Sequence, residues 1–160
     1  MLMKNIKKIL LLTLLSLLII SCSKDDAPIE GCTDPLALNY NVNATVSNGI
    51  CQYSFIGDWE LYKYTWGSTN VLAGYKYLYQ DIYADGSYEA WGQLNDGSDI
   101  SVLGTYKIGG TNNSVITFTN EFGDVSVFTV TKISATDIKM TAQLTISGTT
   151  QTAIIEATKV

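Results

Sequence analysis

Three cysteines carry the most reactive side chains of this sequence, and their positions predict two kinds of chemistry. Cys22 follows directly on a long apolar run, whereas Cys32 and Cys51 lie in a polar segment rich in Asn. A pair of cysteines in an exported chain is expected to form a disulfide, because the compartments outside the cytoplasm are oxidising. A Cys32–Cys51 bond would close a short loop, which stabilises the folded state by about 3 kcal/mol in the chain-entropy model.

The residues before Cys22 predict export. Lysines precede a nearly continuous apolar run over Ile9–Ile20, which is shorter than the roughly 20 residues of a membrane-spanning helix and fits the core of a secretory signal peptide. The ending Ile19-Ile20-Ser21-Cys22 resembles the lipobox of bacterial lipoproteins. The resemblance implies that residues 1–21 are removed and that the Cys22 thiol carries acyl chains, of which two or more suffice for stable anchoring.

Residues 22–30 form a polar stretch without apolar periodicity, which is typical of a flexible tether. Its start, Ser23-Lys24-Asp25-Asp26, resembles the surface-export signal of lipoproteins from one Gram-negative phylum. The resemblance implies a protein that is lipid-anchored to the outer membrane at the cell surface. The periplasmic face of that membrane is the alternative.

The charge balance excludes several classes of function. The chain has a formal charge of −5 and no histidine, and its 10 basic residues are all lysines. Removal of residues 1–21 would take away three lysines and no acid, which changes the charge to −8. Nucleic acid binding requires a basic surface, which this chain lacks. Without histidine, neither a Ser-His-Asp triad nor the commonest transition-metal ligand is available, so we expect no enzyme, no cofactor and no metal.

Residues 31–53 predict a small module with a disulfide staple, because a unit of this size cannot bury enough apolar surface by itself. The segments Gly31–Asp34, Ala37–Tyr40 and Gly49–Tyr53 resemble a short repeat of secreted and surface proteins. We expect a few apolar residues to form its core, namely Leu36, Leu38, Tyr40, Val42, Val46 and Ile50. Oxygens of four side chains are expected to hold turns, with a Ca²⁺ site as the alternative: Asp34, Asn39, Asn41 and Asn43.

Residues 54–160 have the pattern of a domain built from strands. Runs rich in Val, Ile, Thr and aromatic residues are separated by turns such as Asp85-Gly86 and Ser147-Gly148. Short turns between successive runs predict an antiparallel meander, and closing it into a barrel removes the exposed strand edges. The expected strands cover residues 57–65, 75–84, 87–91, 100–108, 115–119, 125–133, 138–147 and 150–158.

Three motifs of this domain resemble those of lipocalin-like proteins: the Gly-x-Trp opening strand at Phe55–Leu61, the Asp-Gly turn at Asp85–Tyr88, and the Gly-x-Tyr strand at Gly104–Ile108. The resemblance implies an all-β, eight-stranded antiparallel up-and-down barrel with Trp59 at its closed end. A two-sheet β-sandwich is the alternative. Lipocalins often pack an arginine from a late strand over this tryptophan. Because the chain has no arginine, we expect that cation–π contact to be absent.

The barrel predicts two functions from different classes. Its interior can hold a small apolar ligand or be filled by its own side chains, and the expected lining is Trp59, Leu61, Phe118, Met140, Leu144 and Ile155. The alternative function is contact with a surface glycan or protein through exposed Tyr and Trp side chains. If Trp59 and Leu61 face inward, strict alternation sends Tyr62, Tyr64 and Trp66 outward to such a surface.

Overall fold

The computed structural model describes residues 27–160, so the predicted signal peptide, Cys22 and most of the predicted tether lie outside the described residues. Regular structure in 27–160 is almost entirely β-strand, apart from two short 3₁₀ helices at Val71–Gly74 and Thr111–Asn113. No helix in this part of the chain has the length and apolar character needed to cross a bilayer. The strands are β1 (Glu30–Gly31), β2 (Val46–Ser47), β3 (Gly57–Trp66), β4 (Thr69–Asn70), β5 (Tyr75–Ile82), β6 (Ser87–Leu94), β7 (Asp99–Gly109), β8 (Val115–Asn120), β9 (Val125–Ile133), β10 (Asp137–Ile146) and β11 (Thr149–Lys159).

Eight of these strands form a closed antiparallel barrel. β3 pairs with β5, each strand from β5 to β10 pairs with the next, and β11 returns to pair with β3. Because the ladder closes on itself, the predicted up-and-down barrel is confirmed and the two-sheet sandwich is excluded. β1 and β2 form a separate parallel pair in the N-terminal module, and β4 pairs with the end of β3.

The two ends of the barrel differ. At the end where the chain runs into β3, Phe55 and Trp59 are each only 2% exposed, and the Trp59 indole nitrogen donates a hydrogen bond of 2.8 Å to the Phe55 carbonyl. We call this the closed end. The β3–β5, β6–β7, β8–β9 and β10–β11 connections lie at the opposite, open end. Buried apolar side chains such as Ile116, Ile138 and Ala157 fill the closed half.

A lysine packs over the Trp59 indole, where lipocalins often have an arginine. Lys159 is the partner of Trp59 across the β3–β11 ladder, and its Nζ lies 5.4 Å from the centroid of the indole ring. The same ammonium donates a 2.6 Å hydrogen bond to the Ile56 carbonyl. The expectation that this cation–π contact is absent is therefore wrong, because a lysine ammonium can meet the ring as an arginine would.

A β-bulge in β3 changes which side chains face the interior. Leu61 pairs with Ala157 and Lys63 with Glu156, which leaves Tyr62 without a partner on β11. One extra residue shifts the in-and-out alternation by one position. Tyr64 therefore faces inward, as does Trp66, whose indole nitrogen donates to the Leu144 carbonyl at 3.0 Å. Strict alternation was wrong for these two residues, while Tyr62 does point outward and is 56% exposed.

The N-terminal module contains the predicted Cys32–Cys51 disulfide. Its expected apolar core is wrong, since the buried hydrophobic residues of the module are Cys32 and Ala37 and none of the six expected ones. Hydrogen bonds hold the loops together instead: the Asn39 side chain donates to the Ile50 carbonyl and accepts from the Gln52 amide. The exposed apolar side chains are Leu36, Leu38, Tyr40, Val42, Val46 and Ile50.

Candidate functional site: a cavity in the barrel

A cavity of about 180 Å³ lies inside the barrel, between the closed-end core and the open end. Every barrel strand except β7 contributes to its wall, which is mostly apolar. For comparison, an engineered cavity of about 150 Å³ with Leu, Ile and Phe walls stays dry and binds benzene. The volume therefore suits a group of about the size of one aromatic ring. The lining residues are Leu61, Tyr64, Leu78, Gln80, Tyr88, Ala90, Phe118, Ser126, Phe128, Leu144 and Ile155.

The structure separates the six predicted lining residues into two groups. Leu61, Phe118, Leu144 and Ile155 belong to the cavity wall. Trp59 and Met140 are each 2% exposed and belong to the core beneath the cavity, but neither is part of its wall. Ligand contact by any of the six stays a prediction.

Sequence reasoning missed the polar part of the wall. Tyr64 was assigned to the outside because the bulge at Tyr62 leaves no signal in the residue pattern. Gln80 lies between Leu78 and Ile82 on the inward face of β5. The alternation of inward and outward side chains along β5 could therefore have predicted that Gln80 faces the barrel interior.

Four polar side chains line this otherwise apolar cavity, and none of them is hydrogen-bonded to another group within residues 27–160. They are Tyr64, Gln80, Tyr88 and Ser126. Burial raises the pKa of Tyr64 and the pKa of Tyr88, so both hydroxyl groups are neutral at physiological pH. A few polar groups on an apolar wall are what fix the orientation of a small ligand.

Beside the cavity, the barrel wall is incomplete. The β9–β10 ladder ends at the pair Thr129–Thr141, and residues 125–128 have no partners on residues 142–146. A groove of about 870 Å³ lies between these strand ends. Tyr64, Ser126 and Leu144 line both the groove and the cavity, so the two spaces adjoin.

A second interruption of the wall, between β3 and β5, is covered. The β3–β5 ladder ends at the pair Glu60–Tyr79, and the 3₁₀ helix Val71–Gly74 follows in the connection beyond it. Leu72 and Tyr75 pack against the barrel core, and the Asn70 side chain fixes the start of the helix by accepting from the Leu72 amide. The β9–β10 groove is therefore the open side of the wall.

Charged side chains at the open end are mainly acidic. Asp96 and Asp99 belong to the β6–β7 connection and its edge, and Glu121 and Asp124 to the β8–β9 connection. Asp124 lines the groove, whose described lining includes no lysine. The local potential therefore favours cations over anions at the groove.

On the outer face of β5 and β6, three aromatic side chains pack on one another. Tyr79 and Trp91 stack at a centroid distance of 4.7 Å, and Tyr77 lies within 6.0 Å of Trp91. The Trp91 indole donates to Asp81 Oδ2 at 2.8 Å, while Asp81 Oδ1 is buried without a partner among the described residues. Burial is the main reason that the pKa of Asp81 is raised. Much of the aromatic surface of this face is thus used in cross-strand contacts.

In the module, three of the four side-chain oxygens considered as Ca²⁺ ligands, those of Asp34, Asn39 and Asn41, accept internal hydrogen bonds. Asp34 accepts from the Tyr53 hydroxyl at 2.6 Å and from the Leu36 amide at 2.9 Å, and these bonds, the first above all, lower the pKa of Asp34. The Asn41 side chain accepts from the Asn43 amide. Within residues 27–160, no three acidic, cysteine or histidine side chains converge as metal ligands would. These oxygens hold turns.

No family model matches the sequence, and no curated protein matches it. Among solved structures, the chain is similar to a lipocalin-like protein from Bacteroides uniformis, with 18% identity, a TM-score of 0.47, and coverage of 66% of this chain and 97% of that one. It is also similar to a Bacteroides eggerthii protein (14% identity, TM-score 0.46, coverage 67% and 100%). Lobster apocrustacyanin A1 matches with 10% identity and a TM-score of 0.49, over 66% of this chain and 60% of that one. The assignment of the barrel rests on its own strand ladders.

Proposed function

We propose that this protein binds a small, largely apolar ligand in the barrel interior and does not catalyse a reaction on it. The observation that carries the proposal is the cavity of about 180 Å³, with its apolar wall and its unpaired polar side chains. Concave, mostly apolar sites with a few polar groups are the usual form of small-molecule sites. Since the chain has no histidine, the commonest general acid–base residue is missing.

Calorimetric titration and methyl NMR with benzene and toluene test this function. We expect binding that shifts the methyl signals of Leu61, Leu144 and Ile155, which lie on the wall. Ala90→Leu would fill part of the cavity and should abolish binding. Ala142→Leu is the control, because Ala142 is buried in the core and does not itself line the cavity. The proposal fails if neither these compounds nor their hydroxylated analogues phenol and p-cresol bind, or if Ala90→Leu binds them as well as the wild type does.

We also propose that lipid on Cys22 anchors the protein to the outer membrane, at the cell surface. The short apolar run and the lipobox-like ending at Cys22 support this proposal. Cys22→Ala should lose both membrane association and labelling by a palmitate analogue, whereas Cys51→Ala should keep the label. Equal labelling of wild type and Cys22→Ala would contradict the anchor. Digestion of intact cells by an added protease distinguishes the cell surface from the periplasmic face.

Contact with a glycan or protein through exposed aromatic side chains has less support. Tyr64 and Trp66 face inward, and Tyr77, Tyr79 and Trp91 pack on one another. Tyr62 is the residue of the predicted outward set that stays exposed. Tyr77 and Tyr83 are exposed as well, but Tyr77 packs on Tyr79 and Trp91. A few exposed tyrosines alone do not make a recognition surface.

A further inference from the structure

We propose that the ligand is an amphiphile with two parts: a single aromatic ring that carries a hydrogen-bonding substituent, held in the cavity, and an uncharged or cationic extension that leaves through the β9–β10 groove. The inference rests on the proposed binding function and names the chemical class of its ligand. It follows from the polarity of the cavity wall, the break in the β9–β10 ladder and the charge of the groove.

The ring is indicated by the size and the walls of the cavity. Its volume of about 180 Å³ is slightly above that of an engineered cavity that binds benzene. Phe118 and Phe128 are among the wall residues, and aromatic rings pack against each other in edge-to-face or offset arrangements. A much longer apolar chain would have to extend beyond this space.

The substituent on the ring is indicated by Gln80. Its side chain lines the cavity in the second half of β5, next to the apolar wall residues Leu78 and Ala90. A ligand without a polar group would leave this amide unpaired, and an unpaired polar group in an apolar site costs affinity. A ring hydroxyl can both donate to and accept from an amide.

The extension is indicated by the break in the wall. The cavity and the groove share Tyr64, Ser126 and Leu144, so a ligand seated in the cavity has a lateral way out between β9 and β10. Groove residues such as Gln143, Thr145 and Ser147 are polar and suit a polar extension. Asp124 is the charged residue in the described groove lining, which favours a cationic end and opposes an anionic one.

Four small compounds test the ring substituent and the charge of the extension separately on the wild-type protein. Toluene and p-cresol differ by the ring hydroxyl, and tyramine and 3-(4-hydroxyphenyl)propanoate share the phenol but end in opposite charges. We expect p-cresol to bind at least ~10-fold more tightly than toluene, the effect of about one satisfied hydrogen bond. We expect tyramine to bind more tightly than the propanoate, and the difference to shrink as salt is added.

Two variants, each with a matched control, test whether Gln80 causes the preference for p-cresol and Asp124 the preference for tyramine. Gln80→Leu should remove the preference for p-cresol, whereas Gln93→Leu should keep it, because Gln93 bonds to Lys76 and Asp99 on the outside of the barrel. Asp124→Asn should reduce the preference for tyramine more than Asp96→Asn does, since Asp96 does not line the groove.

Equal affinity of the wild type for toluene and p-cresol would overturn the substituted ring. Equal or weaker binding of tyramine relative to the propanoate would overturn the extension. Either result leaves the proposed binding function intact as long as toluene itself binds. If none of the four probes binds, the binding function itself fails.

Discussion

The barrel and the N-terminal module are neighbours in sequence, but they are stabilised in different ways. In the barrel, side chains such as Trp59, Ile116 and Phe128 are buried in one continuous core. In the module, the apolar residues are exposed, and the Cys32–Cys51 disulfide and side-chain hydrogen bonds hold the loops. Apolar residues in a sequence therefore do not imply a core unless enough chain surrounds them to enclose it.

The largest expected effect belongs to the barrel core. Trp59→Ala should lower the free energy of unfolding by about 3–5 kcal/mol, because it removes a buried indole together with its contacts to Phe55 and Lys159. Urea unfolding of single variants measures this. Trp66→Ala should cost less, since the Trp66 side chain is only partly buried near the open end, and Trp91→Ala should cost least. Similar losses for all three would show that Trp59 is not the core anchor.

The next effect belongs to the module. Cys32→Ser/Cys51→Ser should destabilise the module by about 3 kcal/mol, the entropy of the opened loop, and should leave the barrel transition nearly unchanged. Hydrogen exchange of the module amides, such as that of Asn41, which donates to the Cys32 carbonyl, reports on the first part. Trp fluorescence during urea unfolding reports on the second. A drop of more than about 1 kcal/mol in the barrel transition would mean that the two units are not independent.

A smaller effect of opposite sign is expected at Asp81. Burial raises its pKa, so the charged form is disfavoured in the folded state, and stability is lost as the pH rises through the raised value. Asp81→Asn should therefore stabilise the barrel at pH 7, by no more than about 1 kcal/mol for this partly exposed group. The gain should vanish in acid. A stabilisation that persists at low pH would show that the charge is not its cause.

The smallest effect is expected at Asp34, which is partly exposed to solvent. The Tyr53 hydroxyl and the Leu36 amide lower its pKa, so its contribution is present above the ordinary carboxyl pKa and is lost as the pH falls through the lowered value. Tyr53→Phe should raise the pKa of Asp34, as measured by NMR titration of its side-chain carbon. Tyr40→Phe is the control, because Tyr40 does not bond to Asp34 in the structure. An unchanged titration in Tyr53→Phe would contradict the hydrogen bond.

Strand positions were predictable because they depend on local patterns. Alternation along Ile138–Ile146 and the Ser147-Gly148 turn set the last hairpin, and the observed β10 and β11 agree within a residue or so with the prediction. The site was less predictable. The β-bulge in β3 depends on its pairing with β11, which is far away in sequence. The residue pattern around Tyr64 therefore does not predict that its side chain faces inward. The β9–β10 groove likewise depends on where a ladder stops.

The contact that closes the barrel also bears on how the chain folds. Lys63 and Glu156, an ion pair across the closing ladder, are 93 residues apart in sequence. Since long loops are costly to close and non-local pairing slows folding, the β3–β11 ladder is expected to form late. A circular permutant that joins Lys159 to Gly57 through a short linker and opens the chain at Gly123 would make β3 and β11 sequence neighbours. Its barrel would keep the same ladders, and the β8–β9 ladder would become the long-range pairing that forms late.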